Sequence, residues 1–394
     1  MPVGRVPSCY SSCMKVAIVK ETFPGERRVA LVPADVAKLS KNGLSVILEP
    51  GAGNAAGFLD SSYQQKGAEI AVSRQAALSA DIVVQVRSSE RSGKIVIGMC
   101  DPLGEPQHVA ELAASGTTLF ALELIPRTTR AQAMDVLSSM TTLAGYRAVL
   151  LAAVELPKIF PLMMTAAGTL TAAKVFVIGA GVAGLSAIAT AKRLGAVVRA
   201  YDVRPACREQ VESLGAKFVE LPLETSKAEG AGGYAQAQDE AFYQRQRELL
   251  GNVVAESDVV ISTAAIPGKQ SPLLVTAEAV ARMQPGSVIV DLGAERGGNC
   301  ALTKADQRVE AHGVTIIGPT NLPSEVPYHA SQMYSANVTA FLLNLVKKGV
   351  VELNLEDPII RDTLVARGGQ VVSPRIRELL GLPPLVAPVE AMPQ

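Results

Sequence analysis

Gly179-Ala180-Gly181-Val182-Ala183-Gly184 follows the apolar run Val175–Ile178 and opens a helix expected over Leu185–Leu194; Asp202 then ends the next apolar strand, Val197–Tyr201. A strand, tight turn, helix and second strand in this order commit the chain to a parallel α/β layer. The first glycine permits the turn, the second lets backbone approach a pyrophosphate, and the third lets helix pack on strand. The helix N-terminus adds amide donors and partial positive charge. Gly195 stands where the helix should stop. Alone, the glycines would also fit a purely structural turn; the acid at about the ~20-residue offset makes them a dinucleotide-binding unit. Asp202 favours NAD over NADP, because a carboxylate accepts from ribose hydroxyls and repels a 2′-phosphate. Arg204, two residues on, weakens that exclusion.

With 394 residues, 48% of them hydrophobic and 19% charged, the chain is long enough for two domains with separate cores. The 37 basic and 37 acidic residues cancel, and without a basic stripe nucleic acid is not an expected partner. The richest apolar stretch, 144–164, is broken by Arg147, Glu155 and Lys158, so no membrane span is predicted. The five cysteines (Cys9, Cys13, Cys100, Cys207, Cys300) lack zinc spacing or a disulfide framework, which fits a reduced cytoplasmic setting and no metal. Residues 1–13 lack the apolar core of a signal peptide and read as an extension before the strand-like Met14–Val19.

Strands are expected at Val16–Val19, Ser45–Leu48, Ile82–Val86 and Thr118–Leu122, then a long helix from Ala131 to about Val154. Beyond the glycine turn, Lys217–Val219, Val259–Thr263, Val288–Leu292 and Val314–Ile317 continue the pattern. The reading is α/β: two Rossmann-like domains with mostly parallel sheets, linked by long helices. Residues 14–140 with 330–380 form a discontinuous first domain, 141–329 the NAD-binding domain, and 381–394 a proline-rich tail. The glycine-rich stretch 229–236, which carries Tyr234, is a candidate lid or a solvated insertion.

Arg127, Gln132, Asp135, Ser138 and Ser139 gather at the start of the long helix, where Asp135 would share a face with both serines. Such a set suits a nicotinamide carboxamide, which needs donors and acceptors. By spacing alone, a capped helix with a surface ion pair fits equally well.

The segment Arg127–Ser139 with Ala144–Ala148 resembles the NAD(H)-binding domain I of proton-translocating transhydrogenases. So do Met163–Thr169, Gly179–Leu185, Ala189–Ala196, Gly232–Ala235 and Gly297–Cys300. The resemblance implies a homodimeric NAD(H) subunit that docks on an NADP(H)-binding partner, itself joined to a membrane-spanning proton channel at the cytoplasmic face. By position it implies that Arg127, Thr128, Thr129, Gln132, Asp135 and Ser138 serve the nicotinamide end. Gly179, Gly181, Val182, Gly184, Asp202, Val203 and Arg204 would serve the adenosine-pyrophosphate end. Tyr234 would close over NAD, with Gly233, Gln246 and Ala265 as further contacts.

Alanine dehydrogenase shares the glycine motif and is the alternative. Reductive amination needs a cation for the substrate carboxylate and a proton donor at the reacting carbon; hydride passing between nicotinamides needs neither. Arg28 matches that enzyme's substrate arginine, but Gln85 stands where it has a lysine, and Met99-Cys100-Asp101-Pro102 where it has its histidine stretch. A non-enzymatic NAD-binding module is the third reading. Glu295-Arg296 places charges where the transhydrogenase pattern is small or apolar.

Overall fold

A computed structural model describes residues 14–90, 94–223, 239–265 and 268–385. The chain divides into two units, Met1–Leu137 with Pro327–Gln394, and Ser138–Val326. Among the described residues four helices exceed ten residues: α1 (Val136–Glu155), α2 (Val182–Arg193), α3 (Glu240–Ala255) and α4 (Pro327–Leu345).

The first unit is built on β1 (Met14–Ile18), β2 (Leu44–Leu48), β3 (Glu69–Ile70), β4 (Ile82–Arg87), β5 (Ile95–Met99) and β6 (Thr118–Ala121). They lie in the order β6-β5-β4-β1-β2-β3, all parallel, with Leu364–Arg367 and Gln370–Val371 added antiparallel beyond β6. Helices cover both faces, so the strands read as continuous apolar runs rather than alternating ones; Ile82, Val83, Val84 and Val96 are fully buried. Val83, Val96 and Leu119 share one cluster with Val365, so residues far down the chain complete this core.

In the second unit a ribbon of β7 (Met163–Thr165) and β8 (Gly168–Leu170) precedes a seven-stranded sheet. That sheet contains β9 (Lys174–Ile178), β10 (Val197–Tyr201), β11 (Lys217–Phe218), β12 (Val259–Ser262), β13 (Val288–Asp291), β14 (Arg308–Ala311) and β15 (Val314–Ile317). The order β11-β10-β9-β12-β13-β15-β14 is parallel except at the β14 edge. Both sheets therefore reverse direction of growth at one place, between β1 and β4 and between β9 and β12, where open α/β sheets hold ligands at their carboxyl ends.

The ribbon is exposed along its length, and Leu162, Met163, Met164 and Leu170 face solvent. Its stem is fixed: Ala173 N–H donates to the Phe160 carbonyl (3.0 Å), and Pro161 and Pro157 sit where a side chain at Gly195 or Gly286 would stand.

Two expectations need correction. The long helix begins at Val136, not Ala131. Thr129–Met134 is instead a 3-10 helix ending at Asp135 in extended conformation (φ −74°, ψ 91°). Three-residue periodicity brings Ala131 and Met134 onto one buried face, and Asp135 therefore shares no helical face with Ser138 and Ser139. Second, α1 is long and apolar enough by length and composition to cross a bilayer. Its Ala148, Val149 and Ala152 lie in the second unit's core, and its Arg147 pairs with Glu325 (2.6 Å).

Candidate functional site

β9 delivers Gly179 in the left-handed region (φ 95°), with its carbonyl accepting from the Thr263 hydroxyl (3.1 Å). A methyl at Gly184 would overlap the Gly179 carbonyl, so the third glycine lets α2 rest on the turn. Gly181 differs. Its backbone (φ −77°, ψ −166°) suits any residue, and a Cβ there would meet nothing within 4 Å. Nothing in the described protein requires a glycine at this helix start; a ligand pressed against the backbone does. No side chain caps the 12-residue α2, which leaves first-turn amides as donors for an anion. The residues present therefore fit a dinucleotide pyrophosphate.

Asp202, buried at the end of β10, accepts from the Ala180 amide (2.7 Å) and the Arg204 amide (2.8 Å). The Arg204 guanidinium forks onto the same carboxylate through Nε and Nη2, each at 2.8 Å. Burial alone would raise the Asp202 carboxyl, but Arg204 and the two amides outweigh it and hold it below the ordinary range. The acid is thus a charged acceptor tied directly to the glycine turn. Val203 is half-buried beside it.

Gln246 on α3 is buried and donates from Nε2 to the Tyr201 hydroxyl (2.8 Å), while its Oε1 has no partner. Burial pushes Tyr201 up to about 12, so it stays a neutral phenol. Ala265 lies exposed just past β12. Gly233 and Tyr234 lie outside the described residues.

Several residues at this edge escaped the sequence reading. Asp291, fully buried, accepts from Ser262 (2.8 Å), Thr303 (2.6 Å) and the amides of Gly293 (2.9 Å), Asn299 (2.7 Å) and Cys300 (3.0 Å). Asn299 in turn donates to the Ala264 and Pro272 carbonyls, both at 2.9 Å. The chain after β13 is thereby tied to the chain after β12. The one available signal was an acid ending the apolar strand Val288–Asp291.

In the first unit, Arg127, Thr128, Thr129 and Gln132 are exposed on one short segment, and Asp135 is half-buried at its end. Ser138, half-buried in α1, opens the second unit. The carboxyl edge of the first sheet is closed by its own charges. Arg28, matched above to a substrate arginine, forks onto Glu26 (Nε 2.7 Å, Nη2 2.6 Å), and neither side chain is more than 2% exposed. Glu21 accepts from the Val86 and Arg87 amides (2.6 and 3.1 Å), Glu123 from those of Cys100 and Asp101 (2.6 and 2.7 Å). Burial raises both acids to about 7. Gln85 is fully buried. His329 is exposed, edge-on to Tyr328 (5.4 Å).

Residues 17–144 match the Alanine dehydrogenase/PNT N-terminal domain and 148–374 the Alanine dehydrogenase/PNT C-terminal domain. The first portion of the NAD(P) transhydrogenase alpha subunit of Rhodospirillum rubrum, a separate chain, is 46% identical over 379 residues, covering 92% of this chain and 99% of that protein. A solved transhydrogenase structure from Sinorhizobium meliloti superposes with a TM-score of 0.80 at 42% identity, covering 91% of this chain and 99% of the other. The alanine dehydrogenase of Bacillus subtilis is 29% identical over 390 residues, covering 93% of this chain and 95% of that one. With both halves matched and a relative this similar along nearly its whole length, the chain belongs to the Alanine dehydrogenase/PNT family.

Proposed function

We propose that this chain is the NAD(H)-binding subunit of a proton-translocating transhydrogenase. It would exchange hydride between NADH and NADP+ held on a partner subunit, coupled to proton movement across the membrane. The observation that carries the NAD(H) reading is Gly181, a glycine that no conformation or neighbour demands, at the uncapped start of α2. The bound nicotinamide supplies the hydride chemistry. The chain's own residues bind and orient: Gly179–Gly184 receive the pyrophosphate, and Asp202 accepts from the adenosine ribose. On the family resemblance, Arg127, Thr128, Thr129, Gln132, Asp135 and Ser138 serve the nicotinamide end.

The transhydrogenase reading is preferred to alanine dehydrogenase because of Arg28. A keto acid carboxylate would have to displace Glu26 from a fork in which both partners are buried, and removing one member of such a pair is strongly unfavourable. The exposed apolar ribbon β7–β8 supports a second copy of the chain as partner. Peripheral attachment at the cytoplasmic face, through the NADP(H)-binding and membrane-spanning subunits, completes the proposal.

The test is equilibrium titration by nicotinamide fluorescence, followed by transfer to an NADP analogue with the partner present. NADH is expected to bind well and NADPH poorly. Asp202→Ala is expected to weaken NADH by about 2 kcal/mol, the scale of hydrogen bonds to a charged acceptor. It should also narrow the preference, since Arg204 released from its fork can meet a 2′-phosphate. Equal binding of both nucleotides by the native chain would sink the NAD(H) reading. Rapid NADH oxidation with pyruvate and ammonium would make it an alanine dehydrogenase instead.

A further inference from the structure

The 3-10 helix Thr129–Met134 carries Gln132 outward, yet six residues of such helix have little stiffness of their own. Two groups from later in the chain, both within the first unit, hold it. Asn337 on α4, buried, donates from Nδ2 to the Ala133 carbonyl (2.8 Å), and its Oδ1 has no partner. Arg130 forks onto Asp357, with Nη1 at 3.0 Å and Nη2 on the second oxygen. Asn344, also on α4, joins the fork: its Nδ2 donates to Asp357 (3.1 Å), and its Oδ1 accepts from Arg130 (3.4 Å). Asp357 also accepts from the Ile359 amide (3.0 Å) at the start of the helix Pro358–Thr363, which fixes the carboxylate from the other side. The hydrogen bond from Arg130 draws the Asp357 carboxyl down to about 2, so the fork persists at any ordinary pH.

The two anchors sit on either side of Gln132 in sequence, at Arg130 and at Ala133. A turn pinned at both points and buried through Ala131 and Met134 has one height and one rotation left to it. We infer that Asn337 and the Arg130–Asp357 fork are positioning residues, which set the place from which Gln132 meets the second nucleotide. This rests on reading the chain as one half of a hydride-transfer pair. Their effect falls on transfer and not on NADH affinity, because transfer alone depends steeply on the distance and angle between two reacting groups.

The experiment compares Asn337→Asp, Arg130→Ala and Arg130→Lys with the native chain in the complex reconstituted with the NADP-binding partner. Three quantities are read: single-turnover transfer to an NADP analogue, the NADH dissociation constant, and amide hydrogen exchange at residues 128–135 of the nucleotide-free chain. Asn337→Asp, which sets a carboxylate against the Ala133 carbonyl, and Arg130→Ala should each slow transfer at least about 10-fold, on the scale of a sub-ångström misplacement. Both should leave the dissociation constant within about twofold and speed exchange at Ala131 and Asp135. Arg130→Lys, which keeps one charged donor, should recover part of the rate. Native transfer and exchange in the folded variants would overturn the inference, as would affinity falling in step with rate. Should Arg130→Ala fail to fold, Asp357→Asn, which keeps the acceptor for the Ile359 amide, takes its place. If the native complex transfers nothing, the proposed function fails, and exchange alone decides whether the anchors hold the turn.

Discussion

β1 and β4 part at the first sheet's switch point as β9 and β12 do at the second's, in sheets whose parallel strands follow the same order. The chain leaving β1 brings Glu21, Glu26 and Arg28, which bond one another or the β4 amides and are buried. The chain leaving β9 brings three glycines and an uncapped helix. Both edges have the shape that holds ligands in open α/β sheets. At one, side-chain charges consume the donors a ligand would use; at the other, removing side chains leaves backbone donors for it. Topology supplies the place, and local pairing decides what it can take.

The sharpest way to break this comparison is to unpair the closed edge. Glu26→Ala leaves the buried Arg28 without its fork and should cost the first unit about 3–5 kcal/mol by calorimetry. A loss under about 1 kcal/mol would mean that Arg28 is available to a ligand and that the edges do not differ in kind. Next comes closing the open edge. Gly181→Ala should weaken NADH about 100-fold, close to 3 kcal/mol, while leaving thermal stability nearly unchanged. An equal loss of stability would show that the fold, not a ligand, needs this glycine.

A smaller effect separates the edges by pH. Burial raises Glu123 to about 7, above the roughly 4.3 of an unfolded glutamate. The folded state therefore holds the extra proton. Its stabilising contribution is complete below about pH 4, is lost as pH rises to about 7, and stays lost above that. Glu123→Gln keeps an acceptor for the Cys100 and Asp101 amides without the charge. It should stabilise the chain on the order of 2 kcal/mol at pH 8 and shrink the decline between pH 5 and 7, Glu21 keeping a share. Denaturant titrations at several pH values check this; an unaltered slope would mean that Glu123 ionises without penalty.

The open edge was largely legible in the sequence, because strand, turn, helix and acid lie within some 30 residues and each constrains its neighbour. Gly179, Gly184 and Asp202 do in space what their spacing implied. Asp135 was misread for the opposite reason. The helical pattern runs through it, but the break depends on Ala131 and Met134 finding a buried face and on Asn337, some 200 residues away, taking the Ala133 carbonyl. Asp291 and Asn299 were invisible likewise, since their partners Ser262, Ala264 and Pro272 meet them only once β12 and β13 lie side by side. The Arg28–Glu26 fork spans two residues, yet no rule of spacing says that an arginine in a loop will be buried on its neighbour.

The ribbon β7–β8 stands out from the second unit on a stem clipped by the Ala173–Phe160 hydrogen bond and wedged by two prolines against glycines. Proline removes backbone freedom from the unfolded chain, and the wedges remove what is left from the folded one. The apolar side chains Met163, Met164 and Leu170 are therefore held on a stiff mount. Whatever surface covers them finds the ribbon already in shape, and association spares most of the ordering entropy that a loose loop of the same composition would forfeit.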